Sequence, residues 1–268
     1  MRLTPILAVL ALAAGCSTPS GPSGPAVTPT SQAPQAKAET PAPGDHVGAF
    51  TDSKGTVRRY LLHAPPNYAR GNAYPLVMVF HGQPGTAADM PKVSGMNEVA
   101  DANGFLVVYP DQTSLPEAVG ELIDHITRLW GVDPKRVHAS GFFRGANVVY
   151  EIAEKLPGRF GSVAPVAGTG ASDRPLPKPV SLLTFQGGQD RLAQTWTPTN
   201  DNWAKAAGCT DEKVTSITME GGPTHIYTTT CAGGTEHVVY SVTRMGHTWP
   251  ADAGKLIWEF FTKHPLRT

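Results

Sequence analysis

The segment Arg136-Val137-His138-Ala139-Ser140-Gly141-Phe142-Phe143-Arg144-Gly145 runs from an apolar stretch through a Gly-x-x-x-Gly turn into a helical pattern. A turn flanked by glycines at a strand-to-helix junction can expose one central side chain as a nucleophile, and in the pattern G-x-S-x-G that side chain is a serine hydroxyl. Here the centre is Phe143, a benzyl group with no lone pair to offer a carbonyl carbon. Downstream, Asp190 closes Gln186-Gly187-Gly188-Gln189-Asp190 after an apolar run, and His247 sits in Gly246-His247-Thr248-Trp249-Pro250. A carboxylate that fixes an imidazole's tautomer and an imidazole that accepts a hydroxyl proton are the acid and base of acyl transfer. They stand here in the order nucleophile position, acid, base. Upstream, His81-Gly82-Gln83-Pro84-Gly85-Thr86 follows another apolar run, which makes the Gly82–Gln83 region and the Arg144 amide the candidate donors to an oxyanion.

A His–Asp pair without a nucleophile can do no more than orient water, and removing the serine from a triad lowers turnover on the order of a million-fold. The Phe143 ring would also project to where a substrate carbonyl must sit. Ser140 lies on the strand before the turn, and Thr169 and Ser172 follow a different strand, so none of them stands at its centre. Asp190 and His247 therefore read equally well as a working pair and as an inherited, idle one. His63, His125, His138, His225 and His237 show no H-E-x-x-H or similar ligand spacing, so no metal site is expected and no cofactor is implied. Trp196, Trp203, Trp249 and Trp258 read as core or cleft wall rather than as a sugar platform, and Gly187-Gly188 is too short a signal for phosphate binding.

The elements that must hold these residues are legible as a pattern. Runs rich in β-branched, aromatic and aliphatic residues predict strands over 56–62, 76–80, 105–109, 136–139, 162–166, 180–185 and 238–242. Several are almost continuously apolar, as strands covered on both faces of a mainly parallel sheet are. Leu115, Val119, Leu122, Ile123, Ile126, Leu129 and Trp130 recur at helical spacing, and 146–156 and 256–261 also read as helices. Alternation of strand and helix predicts an α/β three-layer sandwich, within a single folded unit over 46–268.

Arg2 and the apolar run from Ile6 to Ala14 fit a secretory signal over 1–15, because the run is too short to span a bilayer as a helix. It ends Ala13-Ala14-Gly15-Cys16, which resembles a lipoprotein box and makes Cys16 the expected site of lipidation and of anchoring at the cell membrane or envelope. Ordinary cleavage after Ala13 is the alternative. Residues 16–45 are Pro, Ser, Thr, Ala and Gly with few large apolar side chains, and so form a tether. After Cys16 only Cys209 and Cys231 remain, and export to an oxidising compartment makes them an expected disulfide. Lys and Arg number 22 and Asp and Glu 22, so no basic field is present to release counterions from a nucleic acid, and no nucleic-acid partner is expected.

Taken together, Leu62-His63-Ala64-Pro65-Pro66-Asn67-Tyr68, His81-Gly82, Tyr109-Pro110-Asp111, Val132-Asp133-Pro134-Lys135-Arg136-Val137, Phe160-Gly161-Ser162-Val163-Ala164-Pro165-Val166-Ala167-Gly168, Trp203 before Gly208-Cys209, and Gly246-His247-Thr248-Trp249-Pro250 carry a resemblance. The chain resembles the polyhydroxybutyrate depolymerase and feruloyl esterase family of the α/β-hydrolase superfamily, over nearly all of 56–268. The resemblance implies an α/β-hydrolase fold, carboxylic ester hydrolysis by a Ser-His-Asp scheme, Asp190 as acid, His247 as base and Cys209–Cys231 as the family's bridge. Phe143 departs from it at the nucleophile, as does the short span from Asp111 to Leu115. The expected protein is then either an impaired member that binds an ester- or glycan-like small molecule or acts as an interaction module, or an ester hydrolase altered at Phe143.

Overall fold

The structure, a computed structural model, describes residues 41–111, 115–170 and 174–267. The expected signal segment, Cys16, positions 16–40 of the expected tether, Ser172 and residues 112–114 of the short span lie outside the described residues. In chain order the elements are β1 (Gly44–Thr51), β2 (Val57–Ala64), β3 (Tyr74–Phe80), α1 (Met90–Ser94), α2 (Met96–Asn103), β4 (Leu106–Asp111), α3 (Pro116–Trp130), β5 (Val132–Phe142), α4 (Arg144–Lys155), β6 (Ser162–Val166), β7 (Ser181–Gly187), α5 (Ala193–Ala207), β8 (Thr210–Met219), β9 (Gly222–Thr230), β10 (Glu236–Val242) and α6 (Ala253–Lys263).

The strands make one sheet in the order β1-β2-β4-β3-β5-β6-β7-β10-β9-β8. From β4 through β10 neighbours run parallel, and each edge is finished by two antiparallel strands. β3 and β7 are buried at every position, which is why their sequences are nearly continuous apolar runs rather than alternating ones. Trp130, Val149 and Trp203 from α3, α4 and α5 pack on one face, and Met96, Ile257 and Phe261 from α2 and α6 on the other. This is the expected α/β three-layer sandwich, with its parallel strands in the middle.

Three features differ from the sequence expectation. The fold already includes Gly44 and Asp45, which were expected in the tether: β1 pairs with β2, and the Asp45 carboxylate accepts from His63 Nδ1 at 2.7 Å. Leu115 is not part of the buried face of α3 but its exposed N-cap. α5, β8 and β9 carry no clear periodicity, since α5 contains Pro198 among Thr and Asn residues and β8 is exposed along nearly its whole length. The Cys209 and Cys231 sulfurs are bonded at 1.97 Å, across a sequence separation of 22. Closing a loop of that length removes about 3 kcal/mol of unfolded-state conformational freedom in the chain-entropy account.

Two interior histidines make stability depend on acid. His138 stacks on Phe261 at 4.6 Å and contacts the Ser162 hydroxyl through Nδ1 at 2.9 Å. Burial lowers its pKa to about 3, and burial lowers that of His237 to about 4. Both fold in the neutral form, so their contribution is complete above the ordinary value of 6.5 and is lost as pH falls toward those lowered values. His63 has the opposite sign: burial disfavours its cation, but the bonds to Asp45 and Asp101 outweigh this and raise its pKa. Below the ordinary histidine value, stability is expected to drop by up to about 1.4 kcal/mol per pH unit for each buried neutral histidine. Urea unfolding midpoints across that window check this, and His138→Gln should flatten the decline; an unchanged slope in the variant would remove His138 as its source.

Candidate active site

β5 ends at Phe142 and α4 begins at Arg144, which leaves Phe143 alone on the turn with φ 52° and ψ −109°. A non-glycine residue held there stores about 1–3 kcal/mol of backbone strain. Its neighbours hold it in place: Phe143 N donates to Val166 O at 3.0 Å, and Asn147 N donates to Phe143 O at 3.2 Å. The flanking glycines are required by close backbone approach. A Cβ on Gly141 would lie 2.5 Å from Gly145 O, and one on Gly145 would strike the carbonyls of Phe80 and His81. The sharp turn that exposes a nucleophile is therefore fully formed around a residue that is not one.

Asp190 and His247 meet across the turns that follow β7 and β10. His247 Nδ1 donates to Asp190 Oδ2 at 2.8 Å, and the other oxygen of this fully buried carboxylate accepts from Leu192 N at 2.8 Å. With Nδ1–H committed, Nε2 is the lone-pair nitrogen, the one that would take a nucleophile's proton. It is buried and has no hydrogen-bond partner. The Gly187-Gly188 pair explains how the two loops lie so close. Gly188 N and Gln189 N donate to Val242 O and Met245 O at 2.9 and 3.0 Å, and side chains at the two glycines would strike Met245 O and Thr243 O.

Phe143 stands over this pair. Its ring centroid is 4.8 Å from that of His247 at an interplanar angle of 87°, and the Arg191 guanidinium carbon lies 5.0 Å from the same centroid. Gly82 and Gln83 line the cleft of about 460 Å³ that also contains Phe143, Arg191 and His247. The Arg144 amide is the first of α4, where N–H groups have no partner within the helix, and its side chain points to solvent. The cleft thus brings the Gly82–Gln83 segment and the Asp190-bonded His247 together around the benzyl group of Phe143.

Ser140 is not a substitute: it is fully buried on β5, and its hydroxyl donates to Ala164 O at 2.6 Å. Thr169 lies past the end of β6, where its amide donates to Asn147 at 2.9 Å. Sequence reasoning missed Arg191, whose proximity to Phe143 has no local signal, and the cleft wall made by Met90 and Val93 of α1.

No family model matches the chain. It is 30% identical over 274 residues to NocK of Nocardia uniformis subsp. tsuyamanensis, which is named as an esterase, covering 83% of this chain and 78% of that protein. It is 26% identical over 267 residues to poly(3-hydroxyalkanoate) depolymerase C of Paucimonas lemoignei, covering 78% of this chain and 62% of the depolymerase. In three dimensions it superposes on the acetyl xylan esterase from Aspergillus awamori with a TM-score of 0.66 at 16% identity, over 81% of this chain and 99% of the other, which speaks to the fold. A sequence likeness of this extent to NocK, spread over most of both proteins, shows that the chain belongs to the esterase family of the α/β-hydrolase superfamily that includes polyhydroxybutyrate depolymerases and feruloyl esterases.

Proposed function

We propose that this protein has kept the binding cleft of its esterase family and lost covalent catalysis, so that it holds an ester-like small molecule rather than cleaving it. One observation carries this reading: Phe143 occupies the nucleophile's place and packs edge-on against His247, with the Arg191 cation at its ring. No hydroxyl is available there for His247 to deprotonate, and the reacting carbonyl's position is filled. Pro84, Met90, Val93 and Phe142 give the cleft apolar walls, while Arg191 supplies a positive charge beside them, a combination suited to a small molecule with an apolar body and a polar carbonyl end. A fluorophosphonate probe should leave the unmodified chain unlabelled, and p-nitrophenyl acetate should be hydrolysed at the buffer rate. Robust labelling would identify a working nucleophile and overturn the reading.

The second reading, a carboxylic ester hydrolase, is favoured by the intact Asp190–His247 pair at 2.8 Å and by the strained turn itself. The same probe decides between the two.

We further propose that the protein is exported and held at the membrane by lipid on Cys16, a reading supported by the apolar run before Ala13-Ala14-Gly15-Cys16. Among the described residues, no helix is long and apolar enough to cross a membrane. Cys16→Ser should move the protein from the membrane fraction to the soluble one; unchanged partition would favour cleavage after Ala13.

A further inference from the structure

A second cavity, of about 450 Å³, opens between α5 and the sheet face formed by β7, β10, β9 and β8. Among the described residues it shares no lining with the cleft over Phe143. His237 lines it, only 4% exposed, with Nε2 buried and without a hydrogen-bond partner. Burial alone lowers the pKa of this imidazole to about 4, so the ring is neutral around neutral pH and can donate from one nitrogen while accepting at the other. A polar group buried without a partner is costly, which makes the position informative.

The rest of the lining narrows the ligand. Gln186 and Asn200 face each other as a reciprocal amide pair at 2.8 and 2.9 Å, and Tyr227 and Ser241 add hydroxyl-bearing side chains from β9 and β10. Asp201 and Glu212 contribute carboxylates from exposed positions on α5 and β8. Trp196 forms part of the wall, fixed by its Nε1–H bond to Gly187 O at 3.0 Å. Among the described residues no Lys or Arg lines the cavity, so an anion would find no counter-charge. A purely apolar molecule would cover amides and hydroxyls without bonding them. A molecule whose every polar group both donates and accepts satisfies all of these surfaces, and a carboxylate can accept from two neighbouring hydroxyls at once. The volume lies within the range of about 300–1,000 Å³ typical of small-molecule sites.

We propose that this cavity is a carbohydrate site that takes a neutral mono- or disaccharide, with vicinal hydroxyls held by Asp201 and Glu212 and others meeting Tyr227 and Ser241. The site is independent of whether the cleft over Phe143 hydrolyses anything. It would let the protein grip a glycan through one surface while the cleft holds a different group.

The test is calorimetric titration of the full chain with cellobiose, lactose and mannobiose, with tryptophan fluorescence as a second signal. Saturable binding of at least one sugar is expected. The double variant Asp201→Ala with Ser241→Ala should weaken it about tenfold, which is roughly 1.4 kcal/mol, without moving the melting temperature. Phe143→Ser should leave it unchanged. Absence of saturable binding by all three sugars overturns the proposal, as does binding that the double variant leaves intact. Saturable binding of spermidine or of hexanoate, lost in that variant while no sugar binds, would assign the cavity to a cation or to a fatty acid and overturn it equally.

Discussion

Phe143→Ser is expected to turn a chain that a fluorophosphonate leaves unmarked into one labelled at residue 143, with p-nitrophenyl acetate turnover at least about a thousandfold higher. The backbone needs no rearrangement, because φ 52° and ψ −109° already place the side chain on the exposed turn. The new hydroxyl would replace the ring that now packs on His247, next to an Nε2 that has no partner. Asp190 already holds the tautomer through its 2.8 Å bond to Nδ1. The Gly82–Gln83 region and the Arg144 amide remain to receive the oxyanion. Adding His247→Ala to the serine variant should abolish labelling, which separates a triad from an exposed, adventitiously reactive serine. If the serine variant stays unlabelled with its fold intact, the Asp190–His247 pair is an architectural feature of the loops and the reading of a silenced triad fails.

Gly145→Ala should have the largest effect on stability. The added methyl would be driven into the carbonyls of Phe80 and His81 on the neighbouring strand end, and neither is the far end of a flexible side chain. A backbone clash of this kind belongs to the small group of substitutions that cost more than about 4 kcal/mol, enough to unfold many domains outright. Gly246→Ala is the matched control beside the same site, since nothing lies within 4 Å of its Cβ position. It should change the urea midpoint little, by less than about 1 kcal/mol. Equal effects of the two variants would show that the close approach of β3 to the turn is not what fixes Gly145.

Much of the architecture follows from short-range pattern. β3 and β7 are legible because a strand covered on both faces must be apolar throughout, and α3 because one face of a helix returns every three or four residues. The Gly-x-x-x-Gly turn, the order of Asp190 and His247 and the vacancy at Phe143 are properties of residue type and spacing, and they stand in the amino-acid sequence alone. β8 and α5 are not legible in that way: β8 is a solvent-exposed edge with no face to mark, and α5 carries Pro198 and a polar cavity wall. Asp45 looks like the end of a tether until β1 pairs with β2 and brings it to His63.

What tertiary structure alone decided are contacts between side chains far apart in the chain. The Arg191 cation at the Phe143 ring, the unpartnered Nε2 beneath that ring and the isolated imidazole of His237 under α5 leave no trace in local composition. The identity of a residue is written in the sequence, but whether its polar atoms find partners depends on which strands and loops the sheet order brings beside it.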